Sequence, residues 1–282
     1  MRVVATKIFA TADRELLQKE LPDVEFYFPQ DVKSLASLDF VADKVDMFLG
    51  PPPPPAIIDH VLDTLKLIQI PWAGVDGIDF SHCRKRGVLV ANSHTNARSV
   101  AELAVCLCLD ALKLTPFHDS GFRHNRWHRP GSPEGFYPPR LLRGLTVGYL
   151  GFGSIAQEIH RLLSGFDLKS VAITHTQRVY ESVKMYNRNT QFEEFLQESE
   201  ILFVTAPLTN ETRGIINEEA MRHLKNTCVL VNVARAELIE PKALHTALVN
   251  NKISSAALDV HWQNLSAVNV SSVFLGKWHL QE

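Results

Sequence analysis

The 282-residue sequence predicts an α/β protein with two doubly wound parallel-sheet domains. Short apolar runs without polar alternation are separated by helical segments over residues 1–95, and a second such series starts at Leu145. This pattern is typical of strands that are covered by helices on both faces of a sheet. A glycine-rich turn at residues 151–156 (GFGSIA) joins a strand to a helix. We therefore predict domains at 1–95 and 96–282, with an atypical tail at 264–282.

In the first domain, five apolar segments are predicted as strands: RVVATKIF, VEFYF, VDMFLG, KLIQI and GVLVAN. Helices are predicted from about Thr11 and in AIIDHVLDTL. The run Gly50–Pro55 ends the third strand, because consecutive prolines fit neither a helix interior nor a central strand. It predicts a stiff turn between strand and helix, and a proline-motif ligand for a partner domain stays open as an alternative.

The second domain begins with a long helix near Asn96 (ARSVAELAVCLCLDALKLT), whose apolar positions run nearly all round. Such a helix is either buried or at a subunit interface. The following stretch, FHDSGFRHNRWHRPGSPEGFYPP, is predicted as a loop. Five further segments are predicted as strands separated by helices: TVGYLG, SVAITHT, EILFVTAP, TCVLVNVA and ISSAALDV.

The composition restricts the possible partners. A formal net charge of −2 argues against a general binder of nucleic acid or of anionic membranes. The four cysteines form no CxxC pair, so we predict no metal site and no disulfide. No apolar stretch reaches the length of a membrane span, and the N-terminus resembles a strand rather than a signal peptide. We expect a cytoplasmic protein that acts on a small molecule.

The glycine-rich turn predicts a dinucleotide site. Gly151 permits a tight turn, Gly153 lets a pyrophosphate approach the backbone, and Ala156 allows close packing of helix on strand. Exposed N–H groups at the helix start would hold the phosphates. A structural turn without a ligand is the alternative. The residues assigned to phosphate binding are Gly151, Phe152, Gly153, Ser154 and Ile155.

The next strand ends without the acidic residue that usually binds the adenine ribose. Thr174, His175, Thr176 and Arg178 occupy this region, while Asp167 lies earlier, before the strand. Hydroxyls and an arginine would accept a 2′-phosphate that an acidic residue would repel. The sequence therefore favours NADP(H) over NAD(H), although threonine and arginine are also ordinary surface residues at a strand end.

Four motifs in order resemble the D-isomer-specific 2-hydroxyacid dehydrogenase family. They are LKLIQIPWAGVDGID, VANSHTNARSVAELA, LRGLTVGYLGFGSIAQEI and the long block from VTAPLTNETRGIINEE to ISSAALDV. The resemblance extends from about Leu65 to Gln263, and the first 60 residues or so match only in pattern.

The resemblance implies a flavodoxin-like substrate domain and a Rossmann NAD(P)-binding domain, with the active site in the cleft between them. It implies homodimers joined through the long helix. The implied reaction is reversible hydride transfer between a nicotinamide cofactor and a small 2-oxo or 2-hydroxy acid. Glyoxylate, hydroxypyruvate and phenylpyruvate-like acids stay equally open as substrates.

The resemblance also assigns residues to roles. Arg235 matches the arginine that grips the substrate carboxylate and polarises its carbonyl, and its alternative is a charged strand cap. Backbone N–H groups near Ala73, Gly74 and Val75 complete carboxylate binding. The residues placed along the cofactor are Thr205, Ala206, Pro207, Val233, Ala234 and Asp259.

The sequence departs from the family at the acid–base residue. The family uses a histidine in a Pro-His motif, held by a glutamate in a Glu-Pro pair. Asn264 occupies the glutamate position, and no Glu-Pro or Pro-His pair follows it in this sequence. His279 is the candidate proton donor and His261 is a weaker alternative. We therefore consider two hypotheses: a competent oxidoreductase, or a catalytically weak form that acts as a dinucleotide-binding, redox-responsive module.

Overall fold

The structure is a computed structural model in which the chain divides into two compact units, Met1–Asn96 and Ala97–Glu282. The residues that it describes are 1–29, 44–61, 63–128, 130–131, 138–175, 178–262 and 274–276.

The first unit contains a parallel sheet in the order β2-β1-β3-β4-β5. This order is that of flavodoxin-like folds. Its strands are β1 (Arg2–Ala5), β2 (Glu25–Tyr27), β3 (Met47–Leu49), β4 (Leu67–Ile70) and β5 (Leu89–Asn92). Its helices are α1 (Thr11–Glu20), α2 (Pro55–His60) and α3 (Phe80–Arg86).

The core of this unit lies on the inner strands, where Val3, Phe48 and Ile68 are fully buried. The proline run connects β3 to α2, as the sequence predicts, and Pro55 occupies the first turn of that helix. Proline suits this place because the first helical N–H groups have no partner within the helix. The partner-ligand alternative for the run stays untested.

The second unit contains a sheet in the order β12-β11-β10-β9-β6-β7-β8, with β12 antiparallel to β11 and the other pairs parallel. Its strands are β6 (Thr146–Leu150), β7 (Lys169–Thr174), β8 (Lys184–Asn187), β9 (Ile201–Val204), β10 (Val229–Asn232), β11 (Ser255–Leu258) and β12 (Phe274–Gly276). Its α-helices are α4 (Ala97–Lys113), α5 (Thr115–Arg123), α6 (Ser154–Leu163), α7 (Phe192–Glu198), α8 (Glu218–His223) and α9 (Pro241–Val249), and short 3-10 helices lie at Ser164–Phe166 and Ala236–Leu238.

The strands β6, β9, β10 and β11 are buried along their whole length. Apolar side chains therefore cover both faces of the sheet, which explains why these strands show no polar alternation. One core cluster includes side chains of α7, α8 and α9, and another includes those of α4 and α6. Burial raises the pKa of the thiols of Cys108 and Cys228 to about 12, so both cysteines are unreactive parts of these cores.

Two expectations about local structure are wrong. The stretch after the long helix is not wholly a loop, because Thr115–Arg123 forms α5. Pro116 lies in its first turn, and Asp119 pairs with Arg123 at 2.7 Å one turn later. The second concerns β8, a strand that the sequence did not predict. It lies at the sheet edge and only Tyr186 of its four residues is buried, so its apolar signal is weak.

Among the described residues, no helix has the length and apolar character required to cross a membrane.

Candidate functional site

The predicted ligand residues of the second unit lie where the strand order changes direction. Strand β6 pairs with β7 on one side and with β9 on the other. Ligands of open α/β sheets bind outside the carboxyl ends of strands at such a switch point. Gly151 follows β6 and Thr205 follows β9, so both stand at this place.

Gly151 cannot be replaced by another residue without strain. Its φ is +89°, and a Cβ at this position would lie 2.8 Å from both the backbone N and the Cα of Ala206. The carbonyl oxygen of Gly151 accepts a hydrogen bond from Thr205 Oγ1 at 2.8 Å. The turn after β6 and the segment after β9 are therefore in direct backbone contact.

Gly153 meets a different environment. It is the N-cap of α6 with an ordinary φ of −82°, and a Cβ added there would meet no atom within 4 Å. No side chain of the described residues caps the helix, so the N–H groups of its first turn, from Ser154 and Ile155 onward, are available to an anion. Ala156 is fully buried, which brings the helix close to the sheet. The open space and the helix N-terminus together fit a pyrophosphate.

Phe152, between the two glycines, points into the protein. It is 5% exposed and packs on Tyr149 and Tyr180, with ring centroids 5.2 and 4.8 Å away. His160 Nε2 lies 3.3 Å from Ser182 Oγ, and its Nδ1 lies 3.1 Å from Ser170 Oγ. These contacts attach the segment before β8 to α6, and no local sequence pattern predicts them because they join residues far apart in the chain.

Three of the four residues predicted to lie near the adenine ribose are described at and after the end of β7. Thr174 ends β7 and is half-buried, while His175 and Arg178 are exposed. Thr176 lies outside the described residues. Asp167 pairs with Arg143 before the start of β7. Its carboxylate is therefore already engaged at the other end of the strand.

The segment after β9 is held by local hydrogen bonds. Thr205 N donates to Leu150 O at 3.0 Å, and Pro207 O accepts from Thr212 Oγ1 at 2.7 Å. Ala206 is 7% exposed. This part of the predicted cofactor wall is thus fixed to the end of β6.

Arg235 stands on a braced turn after β10. Asn232 is fully buried, and its side chain accepts from Ala234 N at 3.0 Å and donates to Arg235 O at 2.9 Å. The Arg235 guanidinium donates to Ala234 O at 2.7 Å and is half-buried. Asn232 was not among the predicted site residues. Its signal was a lone polar residue at the end of an apolar strand.

The ends of neighbouring strands complete this edge. Val233 N donates to Val204 O at 3.4 Å, and Asp259 N donates to Asn232 O at 2.9 Å. Asp259 keeps access to solvent, and its partial burial raises the pKa of its carboxyl. The structure therefore links the predicted residues of β9, β10 and β11 along one sheet edge.

The predicted substrate loop belongs to the first unit. Ala73, Gly74 and Val75 follow β4 and are half-buried. Asn92 Nδ2 donates to Ala73 O at 2.7 Å, so the end of β5 fixes the start of the loop. This contact of Asn92 was not predicted from the sequence.

Of the two acid–base candidates, only His261 lies among the described residues. His279 and Asn264 lie outside the described residues. His261 is exposed, and Trp262 Nε1 donates to Ile239 O at 3.2 Å. Within the described part of the chain, no group of three or more histidine, cysteine or acidic residues could hold a metal ion.

A Rossmann sheet with a glycine turn at its switch point and an open helix N-terminus defines a dinucleotide-binding protein. Residues 105–273 match the family model described as D-isomer specific 2-hydroxyacid dehydrogenase, NAD binding domain. The chain belongs to this family, which confirms the resemblance seen in the sequence.

Two curated relatives are archaeal glyoxylate reductases. The protein from Pyrococcus furiosus is 34% identical over 202 residues, which cover 70% of this chain and 59% of the relative. The protein from Thermofilum pendens is 33% identical over 232 residues, which cover 81% of this chain and 65% of the relative. The chain thus spans less than two thirds of the length of each relative.

Solved structures confirm the predicted fold class. A glyoxylate reductase from Paecilomyes thermophila superposes with a TM-score of 0.77 at 23% identity, covering 93% of this chain and 81% of that one. An NADPH-dependent glyoxylate/hydroxypyruvate reductase from Sinorhizobium meliloti, in complex with NADP and malonate, gives 0.75 at 27% identity, covering 95% and 82%.

Proposed function

We propose that this chain is an NAD(P)-dependent oxidoreductase that transfers a hydride between the nicotinamide cofactor and a small 2-oxo or 2-hydroxy acid. The observation that supports it most is the open helix N-terminus behind Gly153, on the same sheet edge as the braced Arg235. Glyoxylate and hydroxypyruvate are the first substrates to test, because the relatives and neighbours are named for them.

The bound cofactor would supply the hydride in the reductive direction. Its delivery to C2 of the acid would place negative charge on the keto oxygen, which would then need a proton from the protein. The guanidinium of Arg235 would donate two parallel hydrogen bonds to the carboxylate and stabilise the negative charge that develops on the keto oxygen. The Asn232 brace would hold the backbone that carries Arg235. On the family resemblance, the N–H groups of Ala73, Gly74 and Val75 in the first unit are proposed as donors to the substrate carboxylate.

We propose the remaining cofactor contacts on the same basis. Gly151, Gly153 and the first turn of α6 would hold the pyrophosphate. The segment after β9 would line the adenosine half. The residues assigned to the nicotinamide end are Val233, Ala234 and Asp259.

NADP(H) is the proposed cofactor in preference to NAD(H). Arg178 is exposed, and Thr174 and His175 supply polar groups at the end of β7. A 2′-phosphate would gain charge-assisted hydrogen bonds there. Arg178→Gln should therefore lower kcat/KM for NADPH about tenfold and leave that for NADH within about twofold. Equal losses with both cofactors would contradict the preference.

A homodimer is proposed through the outward face of α4. Leu103 is 40% exposed, and Cys106 on the same helix is also exposed. Hydrophobic surface on a helix that otherwise packs on the core is typical of an interface. Light scattering should give a dimer that Leu103→Glu dissociates, whereas a monomeric wild-type chain would contradict this.

The proton donor separates the two hypotheses. His279 is the proposed acid–base residue, while Asn264 at the family's glutamate position favours a weakly catalytic dinucleotide-binding module. The test measures NADH and NADPH oxidation with glyoxylate, hydroxypyruvate and phenylpyruvate, beside cofactor binding by calorimetry. Turnover of one acid supports the oxidoreductase. Cofactor binding without turnover of any acid overturns it in favour of the module.

A further inference from the structure

Lys7 occupies an unusual position in the first unit. It follows β1, so it lies at the carboxyl edge of the sheet. Its Nζ is 4.9 Å from the ring centre of Phe9 and 5.0 Å from that of Trp72. A lysine that contacts two aromatic rings is held by cation–π attraction, so its ammonium group has a defined place.

The stem of Lys7 is packed as well. A Cβ at Gly50 would lie 3.4 Å from both Lys7 Cγ and Lys7 N. The neighbouring Thr6 Oγ1 donates to Pro51 O at 2.6 Å, which fixes the loop after β3 against this residue. Three loops of the same sheet edge, those after β1, β3 and β4, therefore meet at Lys7.

The charge of Lys7 is not neutralised within the described part of the chain, where no carboxylate lies within ion-pair distance of it. Two described acidic groups of this unit pair with other cations: Glu25 with Arg2, and Asp59 with His82 and Arg86. Aromatic faces attract a cation but do not accept all of its N–H donors. A half-buried ammonium group of this kind favours an anion.

Trp72 connects this cation to the proposed substrate loop. Its carbonyl oxygen accepts from Ser93 N at 3.3 Å, and the next residue, Ala73, is held by Asn92. Lys7 therefore contacts the residue that directly precedes the 73–75 loop. The cation stands beside the loop, and the loop's own N–H groups are assigned to the reacting carboxylate.

We propose that Lys7 forms a second anion subsite next to the 73–75 loop, and that the protein favours 2-oxo acids whose side chain carries a carboxylate or a phosphate. The proposal rests on the proposed function, because it assumes that the loop binds the reacting carboxylate. Its chemistry is a second anionic group, and either carboxylate or phosphate would satisfy it.

The test compares matched acids that differ by one anionic group. Pyruvate is compared with oxaloacetate, and hydroxypyruvate with its 3-phosphate, so that the two sources of charge are separated. In the wild type, kcat/KM should be about tenfold higher or more for oxaloacetate than for pyruvate, for hydroxypyruvate 3-phosphate than for hydroxypyruvate, or for both. Lys7→Gln should abolish the difference and leave kcat/KM for pyruvate and hydroxypyruvate, which lack the second anionic group, within about twofold. Lys7→Arg should keep the difference.

Lys66→Gln is the matched control, because Lys66 is exposed and precedes β4 at the opposite end of the same sheet. It should leave the preference unchanged. A wild type that does not distinguish the paired acids, or a Lys7→Gln loss that is equal for all acids, would overturn the subsite.

Calorimetry of D-malate and D-lactate separates this inference from the proposed function. With NADPH and no oxidised cofactor present, these hydroxy acids bind without turnover. D-malate should then bind about tenfold more tightly than D-lactate to the wild type but not to Lys7→Gln. If that holds while no acid is reduced, the subsite stands and the oxidoreductase proposal fails. If acids are reduced but D-malate has no advantage, the oxidoreductase stands and the subsite fails.

Discussion

Replacement by alanine should have different effects at the two glycines of the turn after β6: Gly153→Ala should weaken cofactor binding, and Gly151→Ala should weaken folding. At Gly153 the added methyl group meets no protein atom and the φ is ordinary, so folding is expected to change little. The loss of an N-cap glycine lowers the free energy of unfolding, and the smaller entropy of the unfolded chain raises it. The net change should stay within about 1 kcal/mol. The methyl group would, however, occupy the space proposed for the pyrophosphate.

The expected loss of cofactor affinity for Gly153→Ala follows from the contacts that it displaces. Charge-assisted hydrogen bonds contribute about 1.5–3 kcal/mol each, so losing one should weaken NADPH binding by about 10- to 100-fold. At Gly151 an added Cβ would lie 2.8 Å from the backbone of Ala206, and the φ of +89° is unfavourable for alanine, so this replacement should lower the free energy of unfolding. Left-handed strain of about 1–2 kcal/mol and overpacking of about 1–3 kcal/mol give a total loss of about 2–5 kcal/mol for Gly151→Ala.

The assay pairs urea unfolding without cofactor with calorimetric titration of NADPH. Gly165→Ala is the control, because a Cβ there also meets nothing within 4 Å and Gly165 lies beyond the far end of α6. Gly153→Ala should match this control in unfolding and differ from it in binding. Wild-type affinity in Gly153→Ala would refute the assignment of this space to the pyrophosphate.

Three further predictions concern the sheet and its edge. Gly148→Ala should destabilise the fold by about 1–3 kcal/mol, because its Cβ would lie 2.0 Å from Ser199 Oγ, and Ser199→Gly in the same chain should recover part of that loss in urea unfolding. Asn232→Ala removes both hydrogen bonds of the turn that carries Arg235, so it should lower the free energy of unfolding by about 1–3 kcal/mol. It should also lower kcat/KM for 2-oxo acids without changing NADPH affinity, and an unchanged kcat/KM would contradict the positioning role of Asn232. Burial lowers the pKa of His160 from 6.5, so the unfolded chain binds the proton more readily than the folded chain. The free energy of unfolding should therefore fall as the pH drops below about 6.5. His160→Gln should reduce this dependence on pH, and an unchanged dependence would exclude His160 as its source.

Much of this fold follows from local sequence patterns. Apolar strands such as TVGYL and ILFV are buried throughout, so their composition alone predicts that both faces are covered. The glycine turn was equally predictable, because Gly151 requires a left-handed φ and a close approach that side chains do not permit. Family motifs then assigned Arg235 to its strand end.

Other features depend on contacts between residues far apart in the chain. The Lys7–Trp72 contact joins the loops after β1 and β4, and the Asn92–Ala73 hydrogen bond joins the end of β5 to the same loop after β4. Neither pair has a local sequence signal. Helix α5 was not predicted for another reason, since its glycine and its proline are typical of a loop. Gly121 leaves space for His128, and a ring carbon of His128 lies 3.1 Å from the ideal Cβ position of Gly121.

The most direct measurement of the central claim is the reduction of glyoxylate by NADPH with Arg235→Lys. Lysine keeps the positive charge but lacks the planar pair of donors that a carboxylate requires. We expect kcat/KM to fall by about 100-fold or more, with the Kd for NADPH within about twofold of the wild type. A variant that reduces glyoxylate at the wild-type rate would contradict the role of Arg235 and, with it, the proposed reaction at this sheet edge.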